Sequence, residues 1–279
     1  LIHVLTLSWN GFDKLETLHP GLIKNLKITG QDYIWHIRSN GCKDGTIEKI
    51  SNWDNKNIVS YAIEHNRDNF AQGMNYLTEQ AKSNKEDILL FMNNDVKFID
   101  DNSLFNMLDL LNKNAQISMV GARLLYNNTN KLQHAGVIFG AKYNHMPYHF
   151  RHTEESDVNA EKNRYFQAVT AAVCMVKSKD FQEVGGFNPA YFWSFEDIDL
   201  CLRIGRLDKK IAYCGKTFIC HEESASLKKN PINKMFLTHN VLEFQRNFWE
   251  NGHNKKQKDG GYEDDHSSYL NVPDHNVII

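Results

Sequence analysis

The chain has 279 residues, of which 41% are hydrophobic and 24% charged, an ordinary balance for one large α/β domain or a domain with an extension. Its formal net charge of -2 provides no basic field, which excludes the electrostatic footprint of a nucleic-acid binder. No apolar run approaches the roughly 18 to 20 residues of a membrane span, and five cysteines without a CxxC pair indicate neither a disulfide framework nor a zinc ribbon. Reduced thiols in a cytosolic protein are the simple reading. No signal-peptide pattern opens the chain, which begins inside an apparent strand and without Met, as a segment of a longer protein would.

The first half alternates strands and helices. Residues 3–9 are β-rich, and residues 14–28 carry Leu15, Leu18, Leu22, Ile23 and Leu26 at helical spacing. Strands are predicted over 33–37 and 57–63, with a short helix over 45–53 between them and a longer one over 70–81. Residues 88–92, ILLFM, form an unbroken apolar run, the mark of a strand buried on both faces of a parallel sheet. A helix over 104–111 and a strand over 117–125 follow. Repeated β-α units imply a right-handed, mostly parallel α/β sheet, with ligands bound beyond the carboxyl ends of its strands.

The second half changes character. Residues 131–152 are rich in Gly, His, Tyr and Asn, and residues 154–164 read as a charged, mobile loop. Residues 165–176 read as one strand, 178–184 as a short helix stopped by Gly185-Gly186, 195–206 as a helix and 235–249 as a longer one. From residue 251 onward the pattern is polar and aperiodic, as in a tail or linker.

Four segments carry candidate chemistry. Asn93-Asn94-Asp95 directly follows the ILLFM strand, where a carboxylate can hold a phosphate-bridging divalent cation and the amides can bond ribose or phosphate; a strand-ending turn is the plain alternative. In YFWSFEDIDLCLRIG, residues 191–205, Glu196, Asp197 and Asp199 open a helix. That position suits the helix dipole, yet the aromatics Tyr191, Phe192, Trp193 and Phe195 just before it can form a sugar-stacking wall or core, and a carboxylate beside such a wall suits a general base. Asp199 and Arg203 can bridge on the outer face. His221 is a candidate metal ligand or a packed residue. In HNRDNFAQGMN, residues 65–75, Gly73 and Ala71 would let backbone approach a phosphate at a helix N-terminus. Neither the dinucleotide fingerprint nor a P-loop occurs.

In chain order, TLSWNG, SNGCKDGT, RDNFAQGMN, FMNNDV, QHAGV, the block from VTAAVCM through GGFNPAYFWSFEDIDLCLRIG, and HEESAS resemble glycosyltransferase family 2, in its rhamnosyltransferase-like branch. The resemblance spans about residues 3 to 250 and implies a GT-A fold: a Rossmann-like, mostly parallel sheet flanked by helices, with a smaller acceptor-side subregion. It implies one domain over 1–250, with a nucleotide-sugar half to 125, an acceptor and catalytic half over 126–250, and a tail over 251–279.

The resemblance also implies roles. Asp95 and His221 would hold a divalent metal, Mn²⁺ or Mg²⁺, on the donor diphosphate. Asp197 would be the base, with Glu196 orienting it or contacting the acceptor, and Trp193 would meet the acceptor. Ser8, Ser39, Arg67, Gly73, Asn75, Asn93, Asn94 and Ala171 would line the donor site. The implied reaction is inverting, metal-assisted transfer from a UDP- or dTDP-sugar to a hydroxyl of a glycan or lipid-linked glycan. A nucleotidylyltransferase and a non-catalytic carbohydrate-binding module on a decayed transferase fold are the alternatives. A cytoplasmic location is expected, compatible with peripheral attachment at the inner face of the membrane and with further domains of a longer chain.

Overall fold

A computed structural model describes residues 1–63, 68–222, 232–256 and 261–279. In chain order the elements are β1 (Ile2–Ser8), α1 (Phe12–Ile28), β2 (Tyr33–Asn40), α2 (Thr46–Ser51), β3 (Ile58–Ile63), α3 (Phe70–Ala81), β4 (Ile88–Met92), β5 (Val96–Phe98) and α4 (Ser103–Lys113). The second half holds β6 (Ile117–Tyr126), β7 (Leu132–His134), β8 (Val137–Phe139), β9 (Pro147–His149), β10 (Arg164–Phe166), β11 (Val173–Lys177), α5 (Ser178–Glu183), α6 (Glu196–Gly205), β12 (Lys210–His221) and α7 (Ile232–Phe248). The main sheet runs β10-β12-β6-β11-β4-β1-β2-β3, with β5 on β12 and β7 on β6.

The neighbours β4, β1, β2 and β3 are parallel, as the β-α repeats predict. Leu89, Leu90, Phe91 and Met92 of β4 are fully buried because helices cover both faces of the sheet. Leu15, Leu18, Leu22 and Leu26 of α1 join Leu104, Met107 and Leu111 of α4 in one core layer. Ala71, Met74 and Leu77 of α3 join Ile198 and Cys201 of α6 in the other. An Asn69–Gln72 capping box starts α3.

Three expectations are corrected. The run 165–176 is not one strand: β10 pairs antiparallel with β12, whereas β11 runs antiparallel between β4 and β6, so the chain must turn between them. The segment 154–164 is tied down rather than loose, because its charges find partners: Asp157 and Glu154 accept from Arg151 at 2.7 and 2.8 Å, and Glu161 lies 3.4 Å from Arg123. Residues 261–279 are not a detached tail. Tyr262 is fully buried against Phe139 and Phe244, with ring centroids 4.3 and 5.6 Å away, and Tyr269 stacks on Phe166 at 4.4 Å. A short α8 (His266–Asn271) follows, and Arg164 donates to the carbonyls of Pro273 and His275. Two aromatics seven residues apart make no periodic signal, yet each fills a hole in the core.

Tyr262→Ala should therefore destabilise the chain by about 3–5 kcal/mol, the usual cost of emptying a buried aromatic site. Urea unfolding checks this; a change within about 0.5 kcal/mol, typical of an exposed substitution, would mean that the segment contributes no packing.

Candidate active site

A cleft of about 810 Å³ opens beyond the carboxyl ends of the parallel strands. Ser8 ends β1 and Asn40 ends β2 there, and Asn93, Asn94 and Asp95 follow β4. Asn94 donates to the Ser8 hydroxyl at 3.3 Å. A Cβ on Gly11 would come within 2.6 Å of that same amide, so glycine keeps this corner open. The β1 and β2 loops are zipped by Cys42, which donates to the Ser8 carbonyl at 3.1 Å and accepts from the Asn10 amide at 3.2 Å. The Asn40 side-chain amide donates to the Asp68 carbonyl and accepts from the Asp68 backbone N–H, and the Asp68 carboxylate pairs with buried Arg38.

Asp95 is buried, with Oδ1 3.1 Å from His221 Nε2 and Oδ2 3.9 Å from Lys14 Nζ. His221 reaches this wall because β12 pairs with β5 and places it opposite Val96. Gln133 clamps the ring from the side. Its Oε1 lies 2.6 Å from Nδ1, and its Nε2 donates to the His221 carbonyl at 3.5 Å. With the Nδ1–H donated to Gln133, Nε2 carries a lone pair, which faces the Asp95 carboxylate and accepts from the Asn93 amide at 3.1 Å. A carboxylate oxygen and an imidazole lone pair aimed at one spot fit a divalent cation. Among the described residues no three His, Cys, Asp or Glu converge in that way. Two protein ligands suit Mg²⁺ or Mn²⁺, ions that take remaining ligands from water and phosphate.

Glu196 and Asp197 form a second wall. The turn before them is strained: Trp193 and Phe195 have φ of 58° and 73°, a region that non-glycine residues rarely occupy. Fully buried Asn240 of α7 holds that turn, donating to the Phe192 carbonyl, the Ser194 carbonyl and the Ser194 hydroxyl while accepting from the Phe192 amide. Asp197 accepts from the amides of Ala171 at 3.1 Å and Ile198 at 2.9 Å. Burial raises its pKa, and those hydrogen bonds together with the Thr170 hydroxyl oppose the rise. Glu196 has less help. Its Oε2 is buried with no hydrogen-bond partner among the described residues. Burial, and then the Asp197 charge, push its carboxyl up to about 8. Glu196 is thus a protonated acid at neutral pH, beside an Asp197 whose amide and hydroxyl donors favour its charged form.

The cleft brings together Ser8, Asn93, Asn94, Asp95, Ala171, Trp193, Glu196, Asp197 and His221. It does not take in Ser39, Gly73 or Asn75. Ser39 is buried in the strand ladder, and its neighbour Asn40 reaches the cleft instead. Gly73 packs under Leu7, whose side chain a Cβ would meet at 2.6 Å, so its smallness serves helix–sheet contact. Asn75 accepts from the Phe187 amide and donates to its carbonyl, joining α3 to the loop after α5. Arg67 lies outside the described residues. The expected Asp199–Arg203 bridge forms, at 2.5 Å, but inside rather than on the outer face: Asp199 is buried and also accepts from the Tyr191 hydroxyl at 3.3 Å. Of the aromatic wall, Trp193 and Phe195 line the cleft, while Tyr191 is core and Phe192 stacks on Phe236 at 4.9 Å. Lys14, Gln133, Thr170 and Asn240 carried no sequence expectation as site residues; Gln133, inside QHAGV, and Thr170, inside VTAAVCM, stood in motifs that could have signalled them.

Glu196 binds its proton more tightly folded than unfolded, where the ordinary value is 4.5. Its contribution to stability therefore falls as pH rises from about 4.5 to about 8, and Glu196→Gln should flatten the fall. Urea midpoints of both proteins near the two ends of that window check this. Parallel curves would overturn the assignment of a neutral acid.

The chain is similar to several known proteins. It is 24% identical over 225 residues to the O-antigen biosynthesis protein RfbC of Myxococcus xanthus, covering 79% of this chain and 17% of that one. It is 32% identical over 145 residues to the uncharacterized protein y4gI of Sinorhizobium fredii, covering 50% and 16%. The chain thus spans under a fifth of the length of these relatives. Among solved structures, GalNAc-T7 with UDP, GalNAc and Mn²⁺ superposes with a TM-score of 0.65 at 14% identity, over 90% of this chain and 48% of that one. The mannosyltransferase PcManGT of Pyrobaculum calidifontis, in complex with GDP-Man and Mn²⁺, gives 0.62 at 11% identity, over 97% and 70%. These likenesses show the GT-A fold. Residues 22–235 match the family described as Glycosyltransferase like family 2, and with strand, cleft and motif order in agreement the chain belongs to that family.

Proposed function

We propose that this chain is an inverting glycosyltransferase that moves a sugar from a nucleoside-diphosphate donor, UDP- or dTDP-linked, to a hydroxyl of a surface glycan or its lipid-linked precursor. The observation that carries the reading is one cleft lined by both the Asp95–His221 pair and the Glu196–Asp197 pair. The GalNAc-T7 and PcManGT structures hold nucleotide or nucleotide-sugar with Mn²⁺, which supports a metal-assisted donor site here, and RfbC supports a polysaccharide product. No described helix is long and apolar enough to cross a membrane, and work at the cytoplasmic face of one is part of the proposal.

Asp95 Oδ1 and His221 Nε2 would hold the cation, which when bound offsets the negative charge gathering on the leaving diphosphate. Asn94, Ser8 and Asn40 offer amide and hydroxyl groups to the nucleotide side of the donor. Asp197 takes the proton from the acceptor hydroxyl as that oxygen forms its bond to the anomeric carbon and the bond to the diphosphate breaks. The Ala171 and Ile198 amides aim Asp197 and favour its charged form, and protonated Glu196 can donate to a sugar oxygen beside it. Trp193 presents a ring to the acceptor.

Turnover of UDP-, dTDP- and GDP-sugars with Mn²⁺, Mg²⁺ or EDTA tests the reading. One donor consumed only with metal supports it, and no donor bound under any condition would replace it with a non-catalytic glycan-binding role. Asp197→Asn should lower transfer by about 10²–10⁴-fold while nucleotide affinity holds, measured by single-turnover assay and titration calorimetry. A parallel loss of nucleotide affinity would assign Asp197 to structure or metal instead. His221→Ala should abolish Mn²⁺-dependent UDP binding, and Gln133→Ala should weaken it about 10–100-fold, as loss of a ligand-orienting partner does. Calorimetry with and without EDTA checks both, and unchanged Mn²⁺ dependence in His221→Ala would remove it from the metal site.

A further inference from the structure

Lys14 brings a permanent positive charge to the cleft, and the proposed chemistry leaves it without a task. It stands in the first turn of α1, three residues after Gly11. That spacing puts both residues on one face of the helix, and both line the cleft. The Lys14 ammonium lies 3.9 Å from Asp95 Oδ2, close enough for an ion pair and too far for a hydrogen bond. No described residue accepts a hydrogen bond from Lys14 Nζ. A half-buried ammonium with three N–H donors thus borders the cleft without a protein acceptor.

The two oxygens of Asp95 look in different directions. Oδ1 faces His221 Nε2 at 3.1 Å, the spot that fits a divalent cation, and Oδ2 faces Lys14. Lys14 and the cation spot are therefore neighbours across one carboxyl group. Space for a ligand lies in front of them: the Asn94 amide donates to the Ser8 hydroxyl at 3.3 Å, and a Cβ on Gly11 would meet that amide at 2.6 Å. An ion pair with a partly exposed lysine and no hydrogen bond is weak, so Lys14 can leave Asp95 at little cost. Lysine is a compact charge on a flexible stem, which suits it to a phosphate. A divalent cation on Asp95 is already offset in part by that carboxylate, so a diphosphate beside it keeps negative charge that the cation does not cancel.

We infer that Lys14 binds the donor diphosphate. Without a donor it rests against Asp95, and with one it turns to a phosphate oxygen next to the Asp95–His221 pair. This rests on the transferase reading for the nucleoside that the diphosphate carries, whereas the contact with the diphosphate does not. As the bond to the sugar breaks, its electron pair stays with the diphosphate, and Lys14 stands where that charge grows.

Calorimetric titration of UDP, dTDP and GDP in EDTA reads Lys14 apart from the metal. Lys14→Met keeps the length of the stem and removes the charge. It should weaken the preferred nucleoside diphosphate by about tenfold or more, and the matching nucleoside, followed by saturation-transfer NMR, should bind as before. Lys14→Arg should restore much of the loss. Unchanged diphosphate affinity in Lys14→Met would overturn the assignment and leave Lys14 a mere neighbour of Asp95. An equal loss for the nucleoside would also overturn it, by showing that Lys14 only shapes the pocket. Pyrophosphate in EDTA, followed by phosphorus NMR, separates this inference from the transferase reading. Pyrophosphate bound by wild type and not by Lys14→Met, with no nucleoside diphosphate bound, would sink the reading and keep Lys14. A nucleoside diphosphate bound equally by both proteins would do the reverse, and wild type that binds neither probe would overturn both.

Discussion

Three consecutive residues, Thr170, Ala171 and Ala172, tie every wall of the cleft together. The Ala172 carbonyl accepts from the Asn93 amide at 2.9 Å, the Ala171 amide donates to Asp197, and the Thr170 amide donates to His134. They can do so because β11 enters the sheet antiparallel between β4 and β6, which sets its first residues beside the carboxyl end of β4. In an all-parallel sheet the strand beside β4 would end, not begin, at that edge. The short side chains matter as much as the direction. Ala171 and Ala172 line the cleft with no more than a methyl group each, while their amides are committed to Asp197 and to the Thr170 hydroxyl.

The site is held by local interactions that are costly in isolation. Glu196 is buried with the half-buried Asp197 carboxylate beside it, and the turn that delivers them has two residues at positive φ. Such features persist only when the surroundings over-determine them. Asn240 is that surrounding on one side, with four hydrogen bonds to a three-residue turn, and the Ala171 and Ile198 amides are on the other. The two carboxylates differ because the help is unequal: Asp197 receives the amides, and Glu196 keeps an unsatisfied oxygen. Burial pushes both acids of this helix turn up, and only Asp197 has donors from other residues, amide and hydroxyl, that oppose the rise.

Much of this was legible in the residues. ILLFM announced a doubly buried strand, leucines at helical spacing announced α1, and the order of motifs identified the family. Asp95, His221 and Asp197 each stood out by chemical type at an expected place, and the cleft collects all three. The failures have physical causes. Gly73 and Asn75 looked like ligand contacts because small and amide side chains serve packing and loop anchoring equally well, and only the contact partners Leu7 and Phe187 tell these apart. The run 165–176 looked like one strand because buried turns of Val and Ala are as apolar as strands. Asn240 lies 43 positions beyond Asp197 in sequence, 240 against 197, so no local pattern could link it to the turn it holds.

The C-terminal segment shows how far a polar stretch can be from a mere tail. Asp265 accepts from the Phe139 amide at 2.9 Å, and the Tyr262 hydroxyl donates to the His145 carbonyl at 2.8 Å. Phe139 and His145 flank the turn of the β8–β9 hairpin, whose second strand carries Tyr148 and His149 into the cleft. That hairpin has only three residues in each strand, too few to be stable alone. Gly136 turns the chain into it at φ 106°, where a Cβ would strike the Phe166 ring at 2.4 Å, and Tyr269 stacks on the far side of the same core. This side of the cleft thus inherits its position from residues more than a hundred positions downstream. The boundary of the working unit follows this packing and includes residues 261–279, although nothing in their composition marks them as part of a site.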